Sequence, residues 1–90
     1  MSIVAVKIKL MPASPETNLE NVEKDVGRTL ELNNVKNPKF TVEPIAFGLK
    51  ALIVMFGWPE EQELETLEKS LSEIKDVSSV EVIDIRRAIG

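Results

Sequence analysis

The chain has 90 residues, 43% of them hydrophobic, and a formal net charge of −4. This length fits one domain with a modest core, and the acidic balance disfavours a nonspecific nucleic-acid binder, which usually presents a basic surface. Cysteine and histidine are both absent, which excludes thiolate or imidazole zinc sites, thiol nucleophiles and Ser-His-Asp catalysis. We expect a single domain over residues 1–90 with no metal ion and no cofactor.

The N-terminal stretch MSIVAVKIKL does not resemble a signal peptide. Lys7 and Lys9 interrupt its apolar residues, and no basic start precedes them. No apolar run approaches the roughly 20 residues that a membrane span needs. The lack of disulfides fits a reducing compartment. We therefore expect a cytoplasmic protein without a membrane partner.

The first elements in the chain are a strand and a helix. Residues 3–11 alternate, which predicts a strand with one covered face and Lys7 and Lys9 on the other. Ser14 is a suitable N-cap for a helix with Pro15 at its first position. The apolar side chains of this helix follow at helical spacing: Leu19, Val22, Val26 and Leu30.

Two further strands follow a polar loop at residues 33–38. The first covers residues 39–46, and Pro44, which has no backbone donor, indicates an edge strand or a bulge there. The second covers residues 49–56, where only Lys50 is charged. With Lys50 on the face of the sheet turned away from the helices, that outer face would also carry three apolar side chains: Leu52, Val54 and Phe56.

The last elements are a second helix and a fourth strand. Trp58 is expected to cap the core, and Pro59 is a suitable first residue of the helix. Glutamates crowd its first turn: Glu60, Glu61 and Glu63. Its apolar stripe follows: Leu64, Leu67, Leu71 and Ile74. Residues 80–87 predict the final strand, in which Asp84 breaks the alternation and indicates either a bulge or a face open to solvent.

The element order is therefore β-α-β-β-α-β. With right-handed crossovers this order predicts an α+β, ferredoxin-like sandwich: a four-stranded antiparallel sheet with two helices on one face. Because this architecture hosts many functions, the function must be argued from particular residues.

Several common uses of this fold do not fit the residues. A metal chaperone needs a cysteine pair, and an RNA-recognition sheet needs aromatic residues on its central strands. An acyl-phosphate hydrolase needs a phosphate-binding loop rich in glycine and arginine after the first strand, and the loop MPASPET found there lacks both. The glutamates at 60–65 could bind a divalent cation or act in acid-base chemistry, but the solvated start of a helix explains them better. What remains is a binding module rather than an enzyme.

The most informative stretch is EPIAFGLKALIVMF, residues 43–56. Gly48 can adopt positive φ without strain, which favours a tight turn between the two strands. Phe47 then lies near the tip of a hairpin, where its ring has few neighbours. The ring either folds back on its own sheet or contacts a partner, and the residues alone leave both alternatives open.

Four segments resemble archaeal translation elongation factor 1-beta, the guanine-nucleotide exchange factor for elongation factor 1-alpha. VAVKIKLMPASPET looks like the first strand of that family and its Met-Pro exit. EPIAFGLKAL is similar to the central signature EP-(I/V)-(A/G)-(F/Y)-G-(I/L)-K. LEKSLSEIKDVSSVEV and IDIRRAI resemble its second helix and its C-terminal strand. The resemblance covers essentially the whole chain and implies the same β-α-β-β-α-β fold.

The resemblance also implies a mechanism. In eukaryotic relatives an aromatic residue of the signature enters a pocket of the GTPase, and a basic residue at the C-terminus disturbs the magnesium and phosphate site. Carried over, the aromatic residue is Phe47, presented by Gly48, and the basic residue is Arg87, with Arg86 beside it. Arg87 departs from the eukaryotic pattern: it stands where those relatives have a lysine next to the end, and three further residues follow it. Lys50 is either a GTPase contact or a solubilising lysine.

Two alternatives remain from the residues themselves. Arg86 and Arg87 could be a solvated strand end, and the chain could be a small-ligand or oligomerisation module that uses the outer sheet face. The resemblance favours an exchange factor that is monomeric when free, that performs no bond chemistry, and that binds elongation factor 1-alpha without direct nucleic-acid contact.

Overall fold

A computed structural model describes residues 2–87. Its elements follow the expected order. They are β1 (Ile3–Pro12), α1 (Leu19–Leu32), β2 (Lys39–Pro44), β3 (Lys50–Pro59), α2 (Glu65–Ser72) and β4 (Val77–Arg87). In the described part of the chain, neither helix is long and apolar enough to cross a membrane.

The four strands form one antiparallel sheet in the order β2-β3-β1-β4. The register defines its two ends. The hairpin end contains the β2–β3 turn and the start of β4, where Val77 lies opposite Pro12. At the other end, which we call the arginine end, Val4 lies between Trp58 of β3 and Arg87 of β4.

The core lies between the sheet and both helices. Alternate side chains of β1 and β3 pack in one cluster with the helical stripes, which places α1 and α2 on the same face and confirms the ferredoxin-like architecture. The buried members from the central strands are Val4, Val6, Ile8, Leu10, Leu52, Val54, Phe56 and Trp58. Those from the helices are Val22, Val26, Leu30, Leu67 and Leu71.

The start of α1 differs from the prediction. Ser14 caps a turn instead of the helix: its Oγ accepts the N–H of Glu16 at 3.3 Å, and its carbonyl accepts the N–H of Thr17 at 3.2 Å. The N-cap is Asn18, whose side-chain oxygen accepts the N–H of Glu20 at 2.9 Å. Both residue types cap helices well, and the turn at Ser14 leaves the later cap in place.

The start of α2 was also predicted too early. Pro59 belongs to β3, where it lies opposite Ile3 in the register. The following turn is held by the N–H of Glu60, which donates to the carbonyl of Ser2 at 2.9 Å. Pairing with the start of β1 therefore extends β3 beyond residue 56. Three of the glutamates that were assigned to the helix lie in the turn before it: Glu60, Glu61 and Glu63.

The predicted orientation of β3 was wrong. Leu52, Val54 and Phe56 face the helices, and the outer face carries the alternate residues Ala51, Ile53 and Met55. Because of its charge, Lys50 was predicted to lie on the outer face of the sheet. Lys50 instead lies on the helix side, at the first position of the strand. There the helix layer ends, so that its charge stays in water.

The irregularity in β4 is a bulge. Val82 pairs with Ile8 and Asp84 with Lys7, which leaves Ile83 as an extra residue. The bulge moves Asp84 to the outer face, opposite a lysine. It also explains why the alternation predicted from the sequence fails at Asp84.

Candidate functional site

The β2–β3 turn places Phe47 at its tip. The N–H of Leu49 donates to the carbonyl of Ala46 at 2.9 Å, and the N–H of Ile45 donates to the carbonyl of Leu49 at 2.9 Å. Phe47 and Gly48 occupy the two central positions with φ values of 55° and 78°. Two successive positive φ values closed by this hydrogen bond are the features of a type I′ turn.

Phe47 is an unusual residue for that position. The other non-glycine residues of positive φ in the described chain are Asn34, Asn37 and Asp76, whose short polar side chains tolerate this conformation. A phenylalanine there costs about 1 kcal/mol or more. The hydrogen bonds of the hairpin therefore hold Phe47 in a strained backbone conformation.

The ring of Phe47 is 96% exposed. The alternative that it folds back onto its own sheet is therefore wrong for the chain on its own. Val42 and Ile45, on the same hairpin, are also exposed, so that the edge strand and its turn form an apolar tip. An exposed aromatic ring on a strained backbone contributes little to the fold, which points to a binding role.

Gly48 and Lys50 line a cleft beside this tip. Its other wall is the β1–α1 loop and the first turn of α1, including Pro15 and Asn18, and its volume is about 430 Å³. An Ala side chain at Gly48 would meet nothing within 4 Å, so glycine is required there by its φ value and not by space. Lys50 is exposed and adds a positive charge to the cleft.

Arg86 and Arg87 lie at the arginine end. The Arg86 Nε is 2.9 Å from Oδ2 of Asp84, and the Arg87 Nη2 is 2.8 Å from Oε1 of Glu60. Both arginine side chains are more than three-quarters exposed. Exposed ion pairs of this kind contribute less than about 1 kcal/mol to stability, so both cations remain available to a partner.

The structure brings the predicted residues together in two groups, not one. Trp58, which lies level with Arg87, is eight residues beyond Lys50 along β3. At a rise of about 3.3 Å per residue the two groups are roughly 26 Å apart. The longest dimension of the molecule is 41 Å. A partner that contacts both groups must span most of the sheet.

The sequence did not predict the contact that Glu60 makes. Glu60 was interpreted as a charge at the start of a helix, whereas its carboxylate binds Arg87, 27 positions away in the chain. No local pattern predicts such a contact; only the register of β3, β1 and β4 does. Trp58 was predicted well: it is buried, and its indole N–H donates to the carbonyl of Gln62 at 3.0 Å.

The glutamates before α2 do not converge on a common point. Within residues 2–87 no group of three or more Asp or Glu side chains is placed to hold a metal ion. The described surface therefore offers an apolar tip and exposed cations, both of which suit a protein partner.

Comparison with known proteins identifies many similar chains. The elongation factor 1-beta of Methanothermobacter thermautotrophicus is 42% identical, over 97% of this chain and 98% of its own. The protein of the same name from Metallosphaera sedula is 42% identical over 97% of both chains. That of Methanocaldococcus jannaschii is 38% identical, over 98% of this chain and all of its own.

Among solved structures, BlrP1 BLUF superposes with a TM-score of 0.56 at 14% sequence identity, over 98% of this chain and 56% of that one. At this identity the likeness concerns the fold alone, and this chain spans little more than half of that protein. The sequence model of the EF-1 guanine nucleotide exchange domain matches residues 5–88. That match and the relatives together establish that this chain belongs to the EF-1 guanine nucleotide exchange domain family.

Proposed function

We propose that residues 1–90 form one exchange domain that releases GDP from elongation factor 1-alpha and so regenerates its GTP form. The observation that carries this proposal is the exposed, strained Phe47 within a chain that matches the exchange-domain family over residues 5–88. The partner is inferred from the names of the relatives.

The proposed mechanism requires no bond chemistry from this chain. A GTPase holds its nucleotide largely through magnesium and phosphate contacts. A protein that binds the nucleotide-free state more tightly than the loaded state accelerates release. Docking of the two ends of the sheet on different parts of the partner would supply that difference.

Phe47 is the proposed anchor at the hairpin end. A fully exposed phenyl ring that becomes buried in a pocket contributes about 2 kcal/mol or more to binding. Because the turn already fixes the backbone at Phe47, docking loses little backbone entropy there. Gly48 permits the turn, and Lys50 beside it would contact an acidic group of the partner.

Arg87 is the proposed cation that disturbs the magnesium and phosphate site, with Arg86 adjacent. A guanidinium binds phosphate oxygens through several N–H groups at once. Its competition for those oxygens would weaken the contacts that retain magnesium. Each loss of 1.4 kcal/mol lowers nucleotide affinity about tenfold.

The test is release of a fluorescent GDP analogue from an archaeal elongation factor 1-alpha in the presence of excess unlabelled GDP. The proposal predicts a large acceleration that rises with the concentration of this chain and then saturates. A folded chain that leaves the release rate unchanged with a matched partner would contradict it.

A second candidate function is self-association through the outer sheet face. A hollow of about 280 Å³ there is lined by Ile53, Met55 and Ile83 together with Lys7 and Lys39, and Met55 and Ile83 are partly exposed. This candidate predicts a homodimer at micromolar concentration. The exchange proposal predicts a monomer, and sedimentation velocity separates the two.

A further inference from the structure

Glu60 and Arg87 form a contact that crosses the arginine end of the sheet. Arg87 ends β4, Glu60 follows β3, and β1 lies between these strands. The Arg87 Nη2 donates to Oε1 of Glu60 at 2.8 Å. The contact therefore crosses the width of β1, in which Val4 pairs with Arg87.

The two partners are not equally constrained. The side chain of Glu60 is 35% exposed, whereas that of Arg87 is 77% exposed. The backbone of Glu60 is tied to Ser2 by its N–H, and the preceding Pro59 is paired in β3. Glu60 is therefore the more constrained partner, and without it the exposed Arg87 side chain would be free to move.

The contact with Glu60 involves one of the N–H donors of the guanidinium. An arginine has five N–H donors, and a single hydrogen bond joins it to Glu60. Among residues 2–87, Glu60 is the side chain that pairs with this guanidinium, and the Arg87 side chain stays 77% exposed. An anion that approaches this end of the sheet can bind a guanidinium that is already held in place.

We propose that Glu60 is a positioning residue that holds the Arg87 side chain across the end of the sheet, so that the N–H groups that do not bind Glu60 meet an anionic group of the partner. This inference rests on the proposed function, because it assigns a role in exchange. An unrestrained arginine loses rotamer freedom when it docks, and the ion pair removes part of that cost before docking.

The pair formed by Arg86 and Asp84 provides an internal contrast. These residues are two positions apart on one strand, and Asp84 lies on the outer face opposite Lys7. That pair does not link separate elements, so it cannot fix an arginine relative to the rest of the sheet. Of these two ion pairs, the one with Glu60 is the one that joins different elements.

The test is a double-mutant cycle in the GDP-release assay with the parent chain, Glu60→Gln, Arg87→Ala and the double variant. We expect Glu60→Gln to slow release at subsaturating concentration about two- to fivefold, the range that an exposed ion pair supports. In the Arg87→Ala background the same change should have no further effect. Glu61→Gln is the control, because it alters the net charge identically at the neighbouring position.

A second readout is independent of exchange. In a ¹⁵N heteronuclear NOE measurement on the free chain, the NOE of the Arg87 Nε–Hε group should fall in Glu60→Gln, because the side chain becomes more mobile. It should stay unchanged in Glu61→Gln. An unchanged signal, or an equal loss of rate in both Arg87 backgrounds, would overturn the proposal. If the parent chain does not accelerate GDP release from elongation factor 1-alpha at all, the proposed exchange function is wrong. The NOE still decides whether Glu60 holds Arg87.

Discussion

The two ends of the sheet present the side chains of the proposed site by different physical means. At the hairpin end, backbone geometry displays Phe47: two residues of positive φ project a ring that is 96% exposed. At the arginine end, a side-chain partner holds Arg87 through a 2.8 Å ion pair, and the backbone is ordinary strand.

This difference indicates how each end should respond to perturbation. A ring held by the turn is insensitive to salt, and its contribution to binding is mainly the burial of apolar surface. A cation held by a carboxylate is screened by salt and acts through charge. One small domain thus offers a partner an apolar contact and an electrostatic contact roughly 26 Å apart.

The largest expected effect is the loss of the ring in Phe47→Ala. Removing about 2 kcal/mol of burial should lower the apparent second-order rate constant for GDP release about 30-fold, with little change in the free energy of unfolding. Leu32→Ala is the matched control, since Leu32 is also highly exposed but ends α1, away from the turn. An effect of similar size in the control would show that any exposed apolar side chain matters.

A smaller effect is expected at the arginine end. Arg87→Ala should lower the same rate constant up to about tenfold at 50 mM salt, and the ratio to the parent should shrink at 500 mM as charges are screened. The ratio for Phe47→Ala should hardly change between the two salt concentrations. If both ratios respond to salt alike, the division into an apolar end and a charged end is wrong.

The smallest effect concerns the turn itself. Gly48→Ala should lower the free energy of unfolding by about 1 kcal/mol, because alanine is strained at a φ of 78° and has no steric clash there. Urea denaturation measures this change, and Gly27→Ala is the contrast. Gly27 lies inside α1 with open space around it, where alanine should stabilise by a similar amount.

The architecture followed from periodicity wherever one face of an element is polar. Lys7 and Lys9 made the orientation of β1 plain, and Val22, Val26 and Leu30 did the same for α1. The orientation of β3 did not follow, because its run is apolar on both faces. Its charged residue, Lys50, lies at the strand end, where the helix layer no longer covers the sheet.

The site was predictable in part. Gly48 in the sequence predicts a turn, and the position of Phe47 next to it predicts a ring near the tip of that turn. That the ring stays exposed to water follows only from the fold. The contact between Glu60 and Arg87 depends on the register of three strands, which no local pattern encodes. The starts of both helices were predicted too early for a similar reason. Ser14 and Pro59 suit a helix start, but Ser14 caps a turn and Pro59 pairs within β3.

The most direct test of the account is to measure Phe47→Asn in two ways, by thermal unfolding and by GDP release. Asparagine tolerates positive φ, so the variant should gain up to about 1 kcal/mol of stability, which corresponds to a rise in Tm of roughly 4–8 °C for a domain of this size. Its exchange activity should fall as far as that of Phe47→Ala. A variant that exchanges GDP at the parent rate, whatever its Tm, would contradict the claim that strain is retained here to present the ring to a partner.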